Sequence, residues 1–480
     1  MPRQSPEALN SMALQTEKQD LLARLKARLG PKGLVTSSTD KVPFERSARH
    51  AAGSAYAVVQ PATPEELSWV VKEISDAGQK VVVQGAATGL VAAATPDSTG
   101  SQWVLSTRRL RDVLHIDAIN RTARVSAGYL LSDLNREAAE YGLCLPIDLG
   151  ADPAIGGMIS TNTGGARLIR YGGMRENLLG CEAVLASPAG ELVGKSLELR
   201  KNNTGLSWAQ LLCGTFGAFG IVTRATVKLH LIPRQSAVAL IAVDCPAKAM
   251  ALTCSLESAF GEWVSASEGI SGNAMKALME APNAPRAPFE EVPPYAVLLE
   301  LSTSMASESG VDLEPLMLTW LEKQWSEGLV QDAVVDKPDQ LWRIRHALSE
   351  AVQHKGRMVG FDLSVPRSRF AEFRDEVIRL ATTVVPTVNV CDFGHLGDGG
   401  VHLNMVLPDE CPHSQVDLLR QVVFDATVAK FQGSFSAEHG IGPSNVTAYK
   451  RYSEPSLLDL AEVLHGHFDP RRMLGNVTLA

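Results

Sequence analysis

The stretch TPEELSWVVKEISDAGQKVVVQGAATGLV, residues 63–91, decides the fold. Thr63 supplies a helix cap, Pro64 suits the first helical position, and Glu65 and Glu66 place negative charge in the first turn. The helix reaches Ala77 and Gly78, and residues 80–83 follow as a buried strand. A helix feeding a buried strand points to an α/β unit. Gln84, Gly85, Ala86, Ala87, Thr88, Gly89, Leu90 and Val91 then form a loop of small residues at the strand's end. Such a loop lets backbone N–H groups approach a phosphate closely.

Upstream, residues 16–29 carry leucines at 21, 22, 25 and 29 and stop at Gly30-Pro31, which predicts an amphipathic helix after a polar, mobile leader. Downstream, residues 103–105 and 123–127 read as strands, and residues 131–141 as a helix ended by Gly142. The richest glycine region comes next. It holds Pro146, Asp148, Gly150, Gly156, Gly157, Thr161, Asn162, Gly164 and Gly165, followed by Arg167, Arg170 and Tyr171. So much glycine costs chain entropy. A tight chain crossing would explain it; a ligand needing close backbone contact explains it better, because polar and glycine positions interleave. The later run GTFGAFGIVT, residues 214–223, leads into a strand over 225–231.

The octamer AGELVGKS, residues 189–196, imitates a nucleoside-triphosphate loop with Ala189 in place of the first glycine. Residues 181–187 and 191–193 instead flank Pro188-Ala189-Gly190 as a hairpin, whereas that motif needs strand, loop and helix. No Gly-x-Gly-x-x-Gly occurs, so a Rossmann dinucleotide site has no fingerprint. Pro233 marks a boundary. Beyond it, strands such as 239–243 and 297–301 alternate with helices such as 246–260 and 312–326, an α+β pattern. A helix over 341–349 would bring Arg345 and Ser349 to one face, and a further helix is expected over 414–431.

The chemistry concentrates in HLGDGGVHLN, residues 395–404. Asp398-Gly399 suits a two-residue type I′ turn, which pairs 397 with 400 and 395 with 402. Facing strand residues have Cβ atoms about 4.5–5.5 Å apart, close enough for His395 and His402 to grip one cation, with Asn404 on the same face. SAEHGIG, residues 436–442, offers Glu438 and His439. Two histidines and a glutamate form a three-ligand set that leaves a coordination position open. Ordinary hydrogen bonding in a hairpin and a loop is the competing reading.

The 480 residues imply two or three domains and a large core, being 45% apolar and 20% charged. A net charge of −8 leaves no basic footprint for nucleic acid. No apolar run approaches the roughly 18 residues of a membrane span. The first twenty residues lack the apolar core of a signal peptide and carry Glu7, Glu17 and Asp20, against a transit peptide. Seven scattered cysteines without a Cys-x-x-Cys fit reduced thiols in a cytoplasmic protein.

Three strings, LPIDLGADPAIGGMISTNTGGARLIRYGG, GHLGDGGVHLN and SAEHGIG, together resemble the FAD-linked D-2-hydroxy-acid dehydrogenases of the vanillyl-alcohol oxidase/p-cresol methylhydroxylase (PCMH) fold. The likeness spans roughly residues 40–475, judged from pattern. The resemblance implies an α+β fold: an N-terminal helical segment over 1–50, a PCMH-type FAD-binding domain of two α/β subdomains over 51–233, an α+β cap over 234–430, and a segment over 431–480 that closes on the FAD domain. It assigns loop 84–91 to the FAD diphosphate, and 146–165 with Gly220 and Ile221 to the flavin and its phosphates. His395, His402 and Glu438 become ligands of a divalent metal, zinc or manganese. His439 becomes the base, and Arg345, Ser349 and Asn404 join it around the substrate. The implied reaction oxidises a D-2-hydroxy acid to the 2-oxo acid, passing electrons to a protein or quinone acceptor and not to NAD, in a homodimer. With no His or Cys in loop 84–91, the FAD is expected to be non-covalent. The sequence departs from the family at Ala86 and Ala87, where Gly and Asn or Gly are usual, at Phe216 for a Glu, and at Gly360 for a Lys. Gly475-Asn476-Val477-Thr478 stands for Asn-Pro-x-Lys. Gly360 opens a second reading, a bulkier or non-acidic alcohol. Ala86, Ala87 and Phe216 open a third, a non-catalytic binding protein on the flavin scaffold.

Overall fold

The computed structural model describes residues 6–47, 50–477 and 479. Thr478 and the first five residues lie outside them.

Helix Pro64–Asp76 forms as its sequence dictates. The Thr63 hydroxyl accepts from the Glu66 N–H at 3.1 Å, and Glu66 reaches back to the Ala62 N–H at 2.7 Å. Leu67, Val70, Val71 and Ile74 are buried on one face, against Leu21 and Leu25 of helix Pro6–Leu29 and the strands beneath. That N-terminal helix starts at Pro6, ten residues before the expected start, so residues 6–16 are helical and the mobile leader is corrected. The alanine, leucine and glutamate there are good helix formers that outweigh the weak amphipathic signal.

Strands Leu34–Val35, Val58–Val59, Trp103–Ser106 and Val81–Gln84 form a four-stranded sheet in that order, parallel in its last two pairings. The chain's far end returns here: the Val81 N–H donates to Met473, and the Gly475 N–H to Val81. A second, antiparallel sheet runs Leu114–Asp117, Thr122–Ser126, Ile221–Lys228, Leu178–Val184, Leu192–Lys195. Val184 pairs with Leu192, so the false nucleotide loop is a hairpin.

The third sheet is antiparallel with seven strands, ordered Asp332–Asp336, Gln235–Val243, Tyr295–Thr303, Val264–Ser271, Asn389–Gly394, Gly400–Leu407, Arg357–Ser364. Helices Pro246–Phe260, Leu313–Ser326, Phe370–Val384 and His413–Asp425 pack on one face; Gly272–Met279 and Pro338–Gln353 pack on the other. Burial on both faces explains why the central strands read as continuous apolar runs.

The histidine hairpin differs from its expected register. Strands end at Gly394 and resume at Gly400, leaving a five-residue loop, and Phe393, not His395, pairs with His402. A type I′ turn needs positive φ at both central residues. Gly399 has φ +84°, while Asp398 is not among the positive-φ residues. Gly394, at φ +146°, leads the chain out of the ladder early, and the Gly397 N–H docks on the Ser267 carbonyl of the neighbouring strand at 3.0 Å. Among the described residues, no helix is long and apolar enough to cross a membrane.

Candidate active site

A cavity of about 650 Å³ lies between the glycine loops of the first half and the seven-stranded sheet of the second. That size is ordinary for a cofactor or ligand site. Loop Gly85–Leu90 lines one wall, and Asp148, Gly150, Gly156, Gly157, Thr161, Gly165, Gly220 and Ile221 line the next. The loop is held from behind: Arg108 Nε donates to the Gly85 carbonyl at 3.2 Å, and Gln84 Nε2 to Phe44 and Ala94 at 3.0 and 2.8 Å.

Gln84, Pro146 and Asn162 do not line the cavity. Gln84 is fully buried, and Asn162 turns its side chain to the Arg175 N–H at 3.0 Å while capping a short helix at φ +51°. The glycines divide by role. A Cβ on Gly156 would strike Ala127 and one on Gly165 would strike Asp148, so these two are tight chain crossings. At Gly89, Gly150 and Gly157 a Cβ would meet nothing within 4 Å, so the wall there is kept thin beside open space. That is the cradle a diphosphate or an isoalloxazine edge needs, and these residues fit FAD.

At the far end of the cavity the predicted metal residues converge despite the shifted hairpin. The His395 and His402 rings are 5.2 Å apart between centroids. Glu438 faces both, with Oε1 3.2 Å from His395 Nε2 and Oε2 3.8 Å from His402 Nε2. His439 stacks on His402 at 5.8 Å. Two acids that the sequence reading missed orient these rings. Glu268, fully buried, receives His395 Nδ1 at 2.8 Å. Asp362 accepts the backbone N–H groups of Glu438 and His439 at 2.8 and 2.7 Å, and lies 3.5 Å from His439 Nδ1. Each is the lone acid of its strand, VSASEGIS and RMVGFDLS, and the pairing of Asp362 with His402 comes only from the fold.

The electrostatics suit a cation. Burial opposes a charge on His395, but Glu268 and Glu438 outweigh it and raise its pKa well above the usual value. Burial and the neighbouring His395 lower His402 to about 4. Glu438 resists burial through the three histidines and stays far below the usual carboxylate range. Positive charge is thus favoured among these carboxylates: a metal on His395 Nε2 would take the place of that ring's proton, beside a neutral His402. Imidazoles held through the other nitrogen by carboxylates are the usual support of a metal ligand. The donor atoms that lie within 4.8 Å of one another belong to Asp362, His402, Glu438 and His439, a group that differs from the expected set in leaving out His395, which approaches it through Glu438 at 3.2 Å. The donor set fits a divalent metal.

Helix Pro338–Gln353 supplies Trp342, Arg345 and Ser349 to the cavity wall, while Asn404 faces it from the sheet. Arg345 is buried over the Phe393 ring, and its Nε meets Glu268 at 2.5 Å. Gly360 pairs with Asn404, between Met358 and Asp362 on the same strand face.

Residues 232–477 match the family described as FAD linked oxidases, C-terminal domain, and residues 55–194 match the one described as FAD binding domain. The chain belongs to the FAD-linked oxidases. This member is 31% identical over 430 residues to the mitochondrial D-2-hydroxyglutarate dehydrogenase of Arabidopsis thaliana, covering 88% of the chain and 74% of that protein. It is 33% identical over 397 residues to the D-2-hydroxyglutarate dehydrogenase of Xanthomonas citri pv. viticola, covering 80% and 81%. Its fold is similar to that of p-cresol methylhydroxylase with substrate bound, with a TM-score of 0.76 at 15% identity and 96% of each chain covered. The expected PCMH-type architecture and FAD-linked oxidoreductase class are therefore those of this FAD-linked oxidase.

Proposed function

We propose that this FAD-linked oxidase converts a D-2-hydroxy acid to the 2-oxo acid with the help of a divalent metal, and hands the electrons to a protein or quinone-type acceptor. The carrying observation is the convergence of His395, His402 and Glu438 beside His439, at the end of a glycine-walled cavity whose other wall presents Arg345. When bound, FAD supplies the hydride acceptor, and a divalent metal held by His395, His402 and Glu438 supplies polarisation of the hydroxyl. The chain's residues do the rest. Glu268 engages only Nε of Arg345, so the terminal nitrogens suit a two-pronged grip on a carboxylate. Asn404 and Ser349 line the same cavity. His439, its orientation set by Asp362, accepts the hydroxyl proton.

An absorption spectrum tests this reading. Anaerobic addition of a panel (D-lactate, D-malate, D-2-hydroxyglutarate and longer acids) should bleach the flavin with at least one D-acid. His439→Ala should keep its flavin and fail to bleach; full bleaching by that variant removes His439 as the base. Removing metal with a chelator should abolish turnover; unchanged turnover removes the metal from the proposal.

A specific observation favours a second reading of the substrate. Among the described residues, no lysine and no arginine other than Arg345 lines the cavity, and Glu350, Gln353 and Met358 lie along the helix end and strand beyond Ser349. A neutral chain beyond the hydroxyl suits that lining better than a second carboxylate. A D-acid with an apolar chain should then show the highest kcat/KM of the panel.

A further inference from the structure

We propose that Glu268 is a positioning residue that sets the distance between the carboxylate-binding arginine and the metal-binding histidine. This rests on the function proposed above. The two sites come from separate elements: Arg345 from helix Pro338–Gln353, and His395 from the loop after strand Asn389–Gly394. Glu268 divides its oxygens between them, Oε2 meeting Arg345 Nε at 2.5 Å and Oε1 meeting His395 Nδ1 at 2.8 Å.

The carboxylate itself has little freedom. It is 0% exposed and stands in the interior strand Val264–Ser271, where Glu268 pairs with Leu298 on one side and the adjacent Gly269 with Gly394 on the other. A 2-hydroxy acid carries its carboxylate and hydroxyl on adjacent carbons, so the groups that receive them need one fixed separation. A single rigid side chain touching both receivers fixes it. Glu268 does not line the cavity, whereas Arg345 and His395 do, so it acts through these two residues. A buried acid that only neutralised Arg345 would leave His395 to another partner, and one that only held His395 would leave Arg345 free to swing.

The experiment uses the FAD-loaded protein and two variants. Glu268→Gln keeps the shape but must turn an N–H toward one of two donors. Glu268→Asp keeps the charge but is one methylene too short to reach both. Zn2+ affinity is read without substrate, by competition with a chromophoric chelator, and Co2+ spectra report the coordination geometry. KM and kcat are read with whichever D-acid bleaches the wild-type flavin.

Both variants should retain flavin; Glu268→Asp should unfold near the wild-type temperature, whereas Glu268→Gln leaves the buried Arg345 without its carboxylate and should unfold several degrees lower. Glu268→Gln should bind Zn2+ about 10–100-fold more weakly, the usual effect of losing a ligand's hydrogen-bond partner. KM should rise by a similar factor for short-chain and long-chain acids alike, because the affected end is common to all. Glu268→Asp should lose one of the two affinities more than the other. If both variants match wild type in Zn2+ affinity and in KM, the assignment is overturned. A wild-type protein that takes up no Zn2+ and oxidises no hydroxy acid overturns the functional reading and this inference together.

Discussion

At Ala87 an L-residue occupies φ +61° in the loop lining the cavity. A Cβ in the left-handed region costs roughly 1–2 kcal/mol. Loop 84–91 therefore holds strain at the point where close backbone approach is needed, a common place for it. Ala87→Gly should relieve this strain, less the entropy glycine adds to the unfolded chain, and raise Tm by about 1–2 °C. Ala87→Val should act oppositely, lowering Tm and the fraction of protein purified with flavin. A scanning-fluorimetry series with absorbance at the flavin band checks both signs; a less stable glycine variant would show that Ala87 carries no strain. Phe216, at φ +55°, is a second such residue, and its ring fills the space a Cβ on Gly440 would need, next to His439. Neither backbone state was legible in the sequence. The histidines and Glu438 were, because His395, His402, Glu438 and His439 stand in two short glycine-marked strings. Glu268 was not, since its partner His395 is 127 residues away and nothing in VSASEGIS marks the pairing.

The elements followed local rules where local rules suffice. Helix Pro64–Asp76 has its cap, proline and acidic first turn, and its bounds fall where the sequence placed them. The histidine hairpin did not, because its register depends on tertiary contacts: Gly397 on Ser267, and Gly399 against Val365. Only turn chemistry was visible beforehand, and Asp-Gly alone argued for the tighter loop. The two rings still come together because Glu438 meets both, at 3.2 and 3.8 Å, whatever the ladder register. This predicts a separable effect. In Gly399→Ala the new Cβ would strike the Val365 carbonyl while adopting φ +84°. The loop should lose roughly 1–3 kcal/mol locally, and Zn2+ affinity should drop at least tenfold. Flavin retention should not change, since the cradle belongs to other elements. Metal content by elemental analysis beside flavin absorbance on the same sample decides it. Parallel loss of both would mean that hairpin and cradle are one unit.

Across the whole molecule, the cavity lies where the two halves meet, and arginines cross the seam, Arg170 to Ser302 and Arg167 to Glu300. Arg167, beside the glycine loops, reaches Asp148 at 2.5 Å on its own side and grips both oxygens of Glu300 at 3.0 Å on the seven-stranded sheet. Its guanidinium lies 4.9 Å from the Trp342 ring, and Trp342 Nε1 donates to the same Glu300 at 2.6 Å. Arg167 was visible in the sequence as a basic residue after a glycine run, but its partner sits in the apolar strand YAVLLELST, where only folding brings the two together. Glu300 is 2% exposed, so removing its cation strands a buried charge. Such a loss costs about 3–5 kcal/mol, whereas removing both partners together costs far less. Arg167→Met should therefore lower Tm by several degrees. It should also weaken FAD retention and raise KM at once, because Asp148 lies on the flavin side of the seam and Trp342 shares a helix with Arg345. Adding Glu300→Gln to Arg167→Met should recover most of the stability and little of the KM, since the buried charge is gone but the seam stays loose. A double-mutant cycle on Tm and KM separates the two terms. Recovery of both by the second substitution would mean that Arg167 only neutralises Glu300 and does not align the halves.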